Sequence, residues 1–354
     1  MRTSSHQITT DPASRIGYAA LLNLAEQPHW TVVLNDFTIP TAARKRLRHK
    51  FARLPTQLLF LRIDNGVEDV FARLTRAGVN PQQDYISLQG FAFRHENVLN
   101  LHALLSRIPR CDLARLELPL PECGFRPSQA TYLLDIVSKA DYVEQEEIAQ
   151  RFYSLLSESV PYKVVVTSAD ATMTVRDRRP WFDITGRLRK KELRILPAGE
   201  VSYTGDSVSG DFVIDGALLP FPEDPLAAGD ARRIQVLSEE LREHPCRLSL
   251  RDGKVVAVSG SGRAPTVLSF LFQKDARYRN VTEVGISFNR ECHTFVHDWP
   301  AASNEARPGV HVGLGGDPSP DDGMKTGAPL VHIDCIAGTC DVSVNGNAFL
   351  SAMM

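Results

Sequence analysis

The chain has 354 residues, a formal net charge of −2 at pH 7, 43% hydrophobic residues and 23% charged residues. This is the composition of a globular protein long enough for two domains, which excludes a disordered or fibrous chain. The near-neutral charge offers no footing for nucleic acid or an acidic membrane surface, no apolar run reaches the length of a membrane span, and residues 1–12 lack the apolar core of a signal peptide, so a cytoplasmic location is expected.

The first half alternates helix-like and strand-like segments. Residues 16–26 read as an amphipathic helix, 30–34 as a short buried strand and 40–54 as a basic helix closed by Pro55. Residues 57–63 read as a strand, 67–77 as a helix ended by Gly78 and 85–88 as a strand, and segments 97–106, 113–118, 128–140 and 144–157 continue the pattern. Apolar strands interleaved with helices predict an α/β domain with a mainly parallel sheet over residues 1–170. The basic run from Arg44 to Lys50 has no interleaved aromatics and reads as a solvated helix face or a patch for an acidic partner.

From Lys163 helical periodicity thins while β-branched residues and turn glycines increase. The sequence Arg251-Asp252-Gly253-Lys254 predicts a hairpin, because Asp-Gly tolerates the positive φ of a tight primed turn. Residues 171–354 are therefore expected to form an α+β domain dominated by antiparallel strands. Residues 309–329 are rich in Gly, Pro and Asp and read as a loop. Six scattered cysteines contain no Cys-x-x-Cys pair, which argues for free thiols over a zinc knuckle; Cys335 stands out because it follows Asp334. His293, His297 and Asp298 lie together, but no glutamate follows the first histidine as a zincin motif requires, and the segment reads as a variable loop.

The chemistry concentrates near the C-terminus. Val331-His332-Ile333-Asp334 sets an imidazole and a carboxylate two residues apart, so on a strand both point to one face. Val310-His311-Val312-Gly313 places a second imidazole among strand formers. Upstream, Glu200 follows Pro197-Ala198-Gly199, and Glu283 lies in Val281-Thr282-Glu283-Val284-Gly285. Two His, two Glu and one Asp make the mixed nitrogen and oxygen donor set that zinc, cobalt or manganese prefers.

In order and local context, these segments resemble the aminopeptidase T family of metallopeptidases. The resemblance runs from about Ala171 to Val344 and includes Arg-Pro-Trp-Phe-Asp, the turn before Glu200, Gly210 to Gly216, the hairpin at 250–256, the Glu283 segment and both histidine motifs. It implies a metallopeptidase-like C-terminal domain in which Glu200, Glu283, His311, His332 and Asp334 bind one or two divalent ions. It also implies a peptide or small-amide substrate and a homodimer. Two positions depart from the pattern: Gly199 stands where active members carry a glutamate as general base, and Pro318 where they carry a tyrosine. No catalytic residue is assigned, and losing a general base removes a factor of roughly 10² to 10⁴ in rate.

Three readings follow. The first is a metal-dependent aminopeptidase-like hydrolase with incomplete proton-transfer groups. The second is a non-catalytic peptide-binding accessory protein, for example in peptide natural-product biosynthesis. The third is a ring-cleaving dioxygenase similar to the 2,5-dihydroxypyridine 5,6-dioxygenases, which hold one iron and carry histidine where Glu283 stands; this difference ranks it last.

Overall fold

The computed structural model describes residues 30–35, 57–62, 67–91, 106–116, 139–185, 193–222, 228–298, 301–316 and 330–351, with positions 45, 104, 132 and 136. The helix expected at 16–26, most of those at 40–54, 97–106 and 128–140, Cys123, Pro318 and the run Arg44 to Lys50 apart from the exposed, helical Lys45 lie outside the described residues.

Strands β1 (Trp30–Asn35), β2 (Gln57–Arg62), β3 (Ile86–Phe91) and β4 (Cys111–Leu116) come first, followed by β5 (Tyr162–Ser168), β6 (Ala171–Asp177), β7 (Phe182–Ile184), β8 (Leu193–Leu196) and β9 (Glu200–Tyr203). Next are β10 (Val208–Ile214), β11 (Ala217–Pro222), β12 (Cys246–Arg251), β13 (Lys254–Gly260) and β14 (Val281–Ser287). The last are β15 (Gly309–Gly315), β16 (Val331–Ile336), β17 (Cys340–Val344) and β18 (Asn347–Leu350). Among the described residues the α-helices are α1 (Val67–Arg76), α2 (Tyr142–Ser157), α3 (Ala228–Gln235) and α4 (Ala264–Lys274).

The chain divides into two compact units, each discontinuous in sequence. The first holds residues 1–117, 126–141 and 186–196 and contains a five-stranded parallel sheet in the order β2-β1-β3-β4-β8. Its core gathers Leu61, Val70, Leu74, Ile86, Leu88, Leu104 and Ile108. Helix α1 begins on Glu68 and Asp69 and ends with Arg73 and Arg76, charges that suit its dipole, and Arg73 pairs with Asp69 at 2.9 Å.

The second unit holds residues 118–125, 142–185 and 197–354. It contains a seven-stranded sheet, β13-β12-β10-β6-β5-β17-β18, and a six-stranded sheet, β11-β16-β15-β14-β9-β7, and every pairing in both is antiparallel. The predicted hairpin is the β12–β13 turn, where Asp252 and Gly253 both take positive φ, 48° and 69°. One continuous core joins a face of each sheet. Val164, Val166, Phe212, Ile214 and Leu248 come from the larger sheet, and Val201, Val284, Ile286, Val312, Leu314 and Ile333 from the smaller.

This organisation corrects the expected class, a mainly parallel α/β domain followed by an α+β domain. Most described strands belong to the two antiparallel sheets, and the parallel sheet recruits β8 from well beyond residue 170. The expected boundary at 170 falls inside the tight turn between β5 and β6, which pair from Tyr162↔Asp177 to Ser168↔Ala171.

Strands β15 and β16 are buried at every residue, and β14 at all but Thr282. The six-stranded sheet is therefore covered on both faces at its centre. One face supplies the apolar core, and the other carries the polar residues described next.

Candidate metal centre

Side chains alternate along a strand, and directly paired residues share a face. Glu200 and Ser202 of β9, Glu283, Gly285 and Ser287 of β14, His311 and Gly313 of β15, and His332 and Asp334 of β16 thereby occupy one face. The register pairs Ser287 with Glu200, Gly285 with His311, Gly313 with Asp334 and Gly315 with His332. Each proposed donor thus faces a glycine or serine across the strand, and two of those glycines are obligatory. A Cβ on Gly285 would stand 2.0 Å from His311 Cε1 and 2.4 Å from Glu200 Oε1; one on Gly313 would stand 2.5 Å from His332 Cε1 and 2.9 Å from Glu283 Cβ. The glycines are notches into which the donors fold.

The five donors form two overlapping triads, Glu200–Glu283–His311 and Glu283–His332–Asp334; in each, the donor atoms lie within 4.8 Å of one another. Glu283 belongs to both. His311 Nε2 lies 3.6 Å from Glu200 Oε1, His332 Nε2 lies 3.5 Å from Glu283 Oε2, and His332 Nε2 lies 2.8 Å from Asp334 Oδ1. All five side chains are buried. Outer contacts orient them: His332 Nδ1 donates to the Gly316 carbonyl at 2.7 Å, which turns Nε2 towards the carboxylates. Ser202 Oγ donates to Glu283, and Ser287 Oγ to Glu200 Oε2 at 3.5 Å.

Glu200 Oε1, both ring nitrogens of His311 and Asp334 Oδ2 are buried without a hydrogen-bond partner. Such atoms are costly when left unsatisfied. Their convergence, the glycine notches and the donor chemistry fit one or two divalent cations.

The electrostatics of the cradle are those of crowded acids. Burial, reinforced by the charges of Glu283 and Asp334, pushes the Glu200 carboxyl well above its ordinary range. Burial also works against charge on Glu283, but hydrogen bonding from His332 and the nearby imidazoles outweigh it and hold this carboxyl below its ordinary range. His332 loses solvation too, yet Asp334 and Glu283 hold its imidazolium well above the usual histidine value.

A fourth acid, Glu305, belongs to this group and was not singled out by the sequence reading. Its partly buried side chain extends from a turn just before β15, and its carboxyl hydrogen-bonds that of Glu200, a contact that needs one proton between them. Burial, then Asp334, Glu200 and Glu283, push its carboxyl well up. Asn289 fixes the turn: its backbone N–H donates to the Ala306 carbonyl at 3.2 Å and its side-chain amide to the Ala198 carbonyl at 2.8 Å. The segments bearing Glu305 and Glu200 are clamped together through that one residue. The only available sequence signal was an acid six residues before His311, with no periodicity to mark it.

Gly199 takes φ +115°, and a Cβ there would stand 2.9 Å from Gln145 Cδ and 3.0 Å from Asn289 Cβ. An amide thus fills the space beside this backbone. Cys335 points away from the donors into the main core, its Sγ 3.9 Å from the Ile333 carbonyl, and is not adjacent to the cradle as its place after Asp334 suggested. His293, His297 and Asp298 lie in a non-helical segment, so the histidines are not stacked at helical spacing.

No protein-family model matches the chain, and no curated protein matches it. Among solved structures it is similar to wild-type AmpT from Thermus thermophilus, with 14% sequence identity and a TM-score of 0.45 over 93% of this chain and 94% of that one. Among the described residues no helix is long and apolar enough to cross a membrane.

Proposed function

We propose that the protein is a metal-dependent hydrolase of peptides or small amides. The observation that carries this reading is the pair of buried triads sharing Glu283, with donor atoms that have no partner in the protein. Glu200, Glu283 and His311 would hold one divalent ion, and Glu283, His332 and Asp334 a second. Zinc, cobalt or manganese bound there supplies Lewis acidity towards a carbonyl and makes water nucleophilic near neutral pH.

The chain's own residues do the rest. Ser202 and Ser287 hold the carboxylates of Glu283 and Glu200 in orientation, and the Gly316 carbonyl fixes the tautomer of His332. Glu305, sharing a proton with Glu200, is placed to hold or accept a proton at its carboxyl oxygen, the role that Gly199 cannot perform. The burial of the donors excludes bulk water and strengthens these interactions.

The Gln145 amide against Gly199 favours a second reading, a peptide-binding accessory protein without turnover. One experiment separates the two. Chelator-treated protein is titrated with manganese, zinc and cobalt by calorimetry, and dipeptide cleavage is then assayed with each ion. Metal uptake with turnover is expected, with His332→Ala losing turnover and the ion of its own triad; peptide binding without cleavage in every metal would select the accessory reading. Absence of uptake at millimolar metal would overturn the metal centre itself.

A further inference from the structure

The two flanks of the cradle differ in chemistry. On the β9 side the face presents Glu200 and Ser202, with Glu305 beside them. On the β16 side it continues onto β11, where Leu219 pairs with Asp334 and Phe221 with His332. These residues belong to a small apolar cluster of Ala217, Leu219 and Ile336, with partly buried Phe221 and Phe295 packed against it, separate from the main core on the opposite face. The Phe221 ring centroid lies 6.3 Å from that of His332, with the ring planes 36° apart. Phe295 lies over the chain just before β11, its Cζ within 2.5 Å of where a Cβ on Gly216 would stand. An aromatic ring that stays partly exposed beside buried ionisable groups retains apolar surface for a ligand to cover.

We infer that Phe221, backed by the buried Leu219, forms the specificity wall of the site, which receives a large apolar side chain of the substrate beside the group held at the His332–Asp334 end of the cradle. The inference rests on the hydrolase reading, and it names Phe221 as the residue that separates apolar from acidic substrates. A carboxylate side chain there would lose hydration against the Phe221 ring and would lie near Asp334 and Glu283, so the acidic substrate is rejected twice.

The test uses the full chain loaded with manganese and three hydroxamates that share a metal-chelating head: acetohydroxamate, L-phenylalanine hydroxamate and L-aspartate hydroxamate. Calorimetry is expected to show the phenylalanine compound binding at least about tenfold tighter than acetohydroxamate, and the aspartate compound no tighter than acetohydroxamate, since one methylene in an apolar pocket is worth roughly 10- to 200-fold. In Phe221→Ala most of that preference should vanish while acetohydroxamate affinity is kept. Equal affinity for the phenylalanine and aspartate compounds in the unmodified protein would overturn the inference, whether or not Phe221→Ala folds, and so would a preference that survives in a folded Phe221→Ala. If the chain loads no manganese, the metal centre fails first, and if acetohydroxamate fails to bind the loaded chain, the hydrolase reading fails first; either result takes the wall with it.

Discussion

Replacing Gly285 with alanine tests the notched sheet directly. Its φ lies outside the left-handed region, so the backbone accepts alanine and the effect is steric. The new methyl would stand 2.0 Å from His311 Cε1, 2.3 Å from His311 Nε2 and 2.4 Å from Glu200 Oε1. To regain an ordinary separation of 3.4 Å the imidazole must retreat by about 1.4 Å, whereas a metal site tolerates donor displacements of only about 0.2 Å. Both displaced groups belong to the Glu200–Glu283–His311 triad, and the other triad keeps its geometry. Overpacking of this kind costs about 1 to 3 kcal/mol, or roughly 2 to 4 °C in Tm per kcal/mol for a unit of this size. Manganese titration of the chelator-treated variant should show one ion of a two-ion isotherm lost, with circular dichroism showing that the fold is kept. A folded Gly285→Ala protein that takes up two ions with unchanged affinity would refute the reasoning. Gly313→Ala makes the converse case, because its methyl strikes His332 and the shared Glu283, so both sites should weaken.

Three further outcomes are expected. Glu305→Gln should lower manganese affinity by about 10- to 100-fold, as loss of a carboxylate supporting a ligand does; unchanged calorimetry would remove Glu305 from the centre. Gly199→Glu should destabilise by about 1 to 3 kcal/mol, since it forces a side chain into φ +115° against Gln145, and should leave peptide cleavage no faster; a gain in rate would show that the turn can reshape to admit a base. The pH profile of the metal-free protein follows from the shifted groups. Glu200, Glu305 and His332 have folded pKa values above their ordinary 4.5, 4.5 and 6.5, so the stability they contribute is complete below those values and is lost as pH rises through the folded pKa values. Glu283 has the opposite sign and loses its contribution only as pH falls below 4.5. Melting should therefore occur at a higher temperature near pH 5.5 than near pH 8.5 without metal, and saturating metal should reverse the trend by displacing the protons; a flat metal-free profile would contradict the assigned shifts.

The sequence made the His332–Asp334 pair legible because period-two alternation is local, and the strands bearing His311 and Glu283 were marked by their β-branched neighbours. Glu200 had no such pattern and drew its weight from a resemblance. Glu305 was hidden because its placement depends on Asn289 joining two turns about a hundred residues apart in sequence, which no local window contains. The fold class failed for a related reason. Alternating helix-like and strand-like segments suggested parallel crossovers, and a parallel sheet is present, but it returns to the chain at β8. The antiparallel sheets depend on pairings such as Val344↔Val164 and Ser287↔Glu200, which no periodicity reports. Individual hydrophobic runs reveal strands; they do not reveal which strands meet.

The sharing of one sheet by core and donors has a thermodynamic consequence. Strands β9, β14, β15 and β16 put apolar residues on one side and candidate donors on the other, so a one-residue slip of any strand would bury a carboxylate or imidazole in the core and turn a valine or isoleucine into the donor cluster. An ion held by these donors would then fit only the correctly registered sheet and would stitch together four strands that are distant in sequence. By mass action, a ligand at a hundred times its Kd adds about 2.7 kcal/mol to the stability of the state that binds it. Metal supply would therefore govern how much of the second unit survives proteolysis and heat, so the availability of cation in the cell would set the protein's abundance as well as its chemistry.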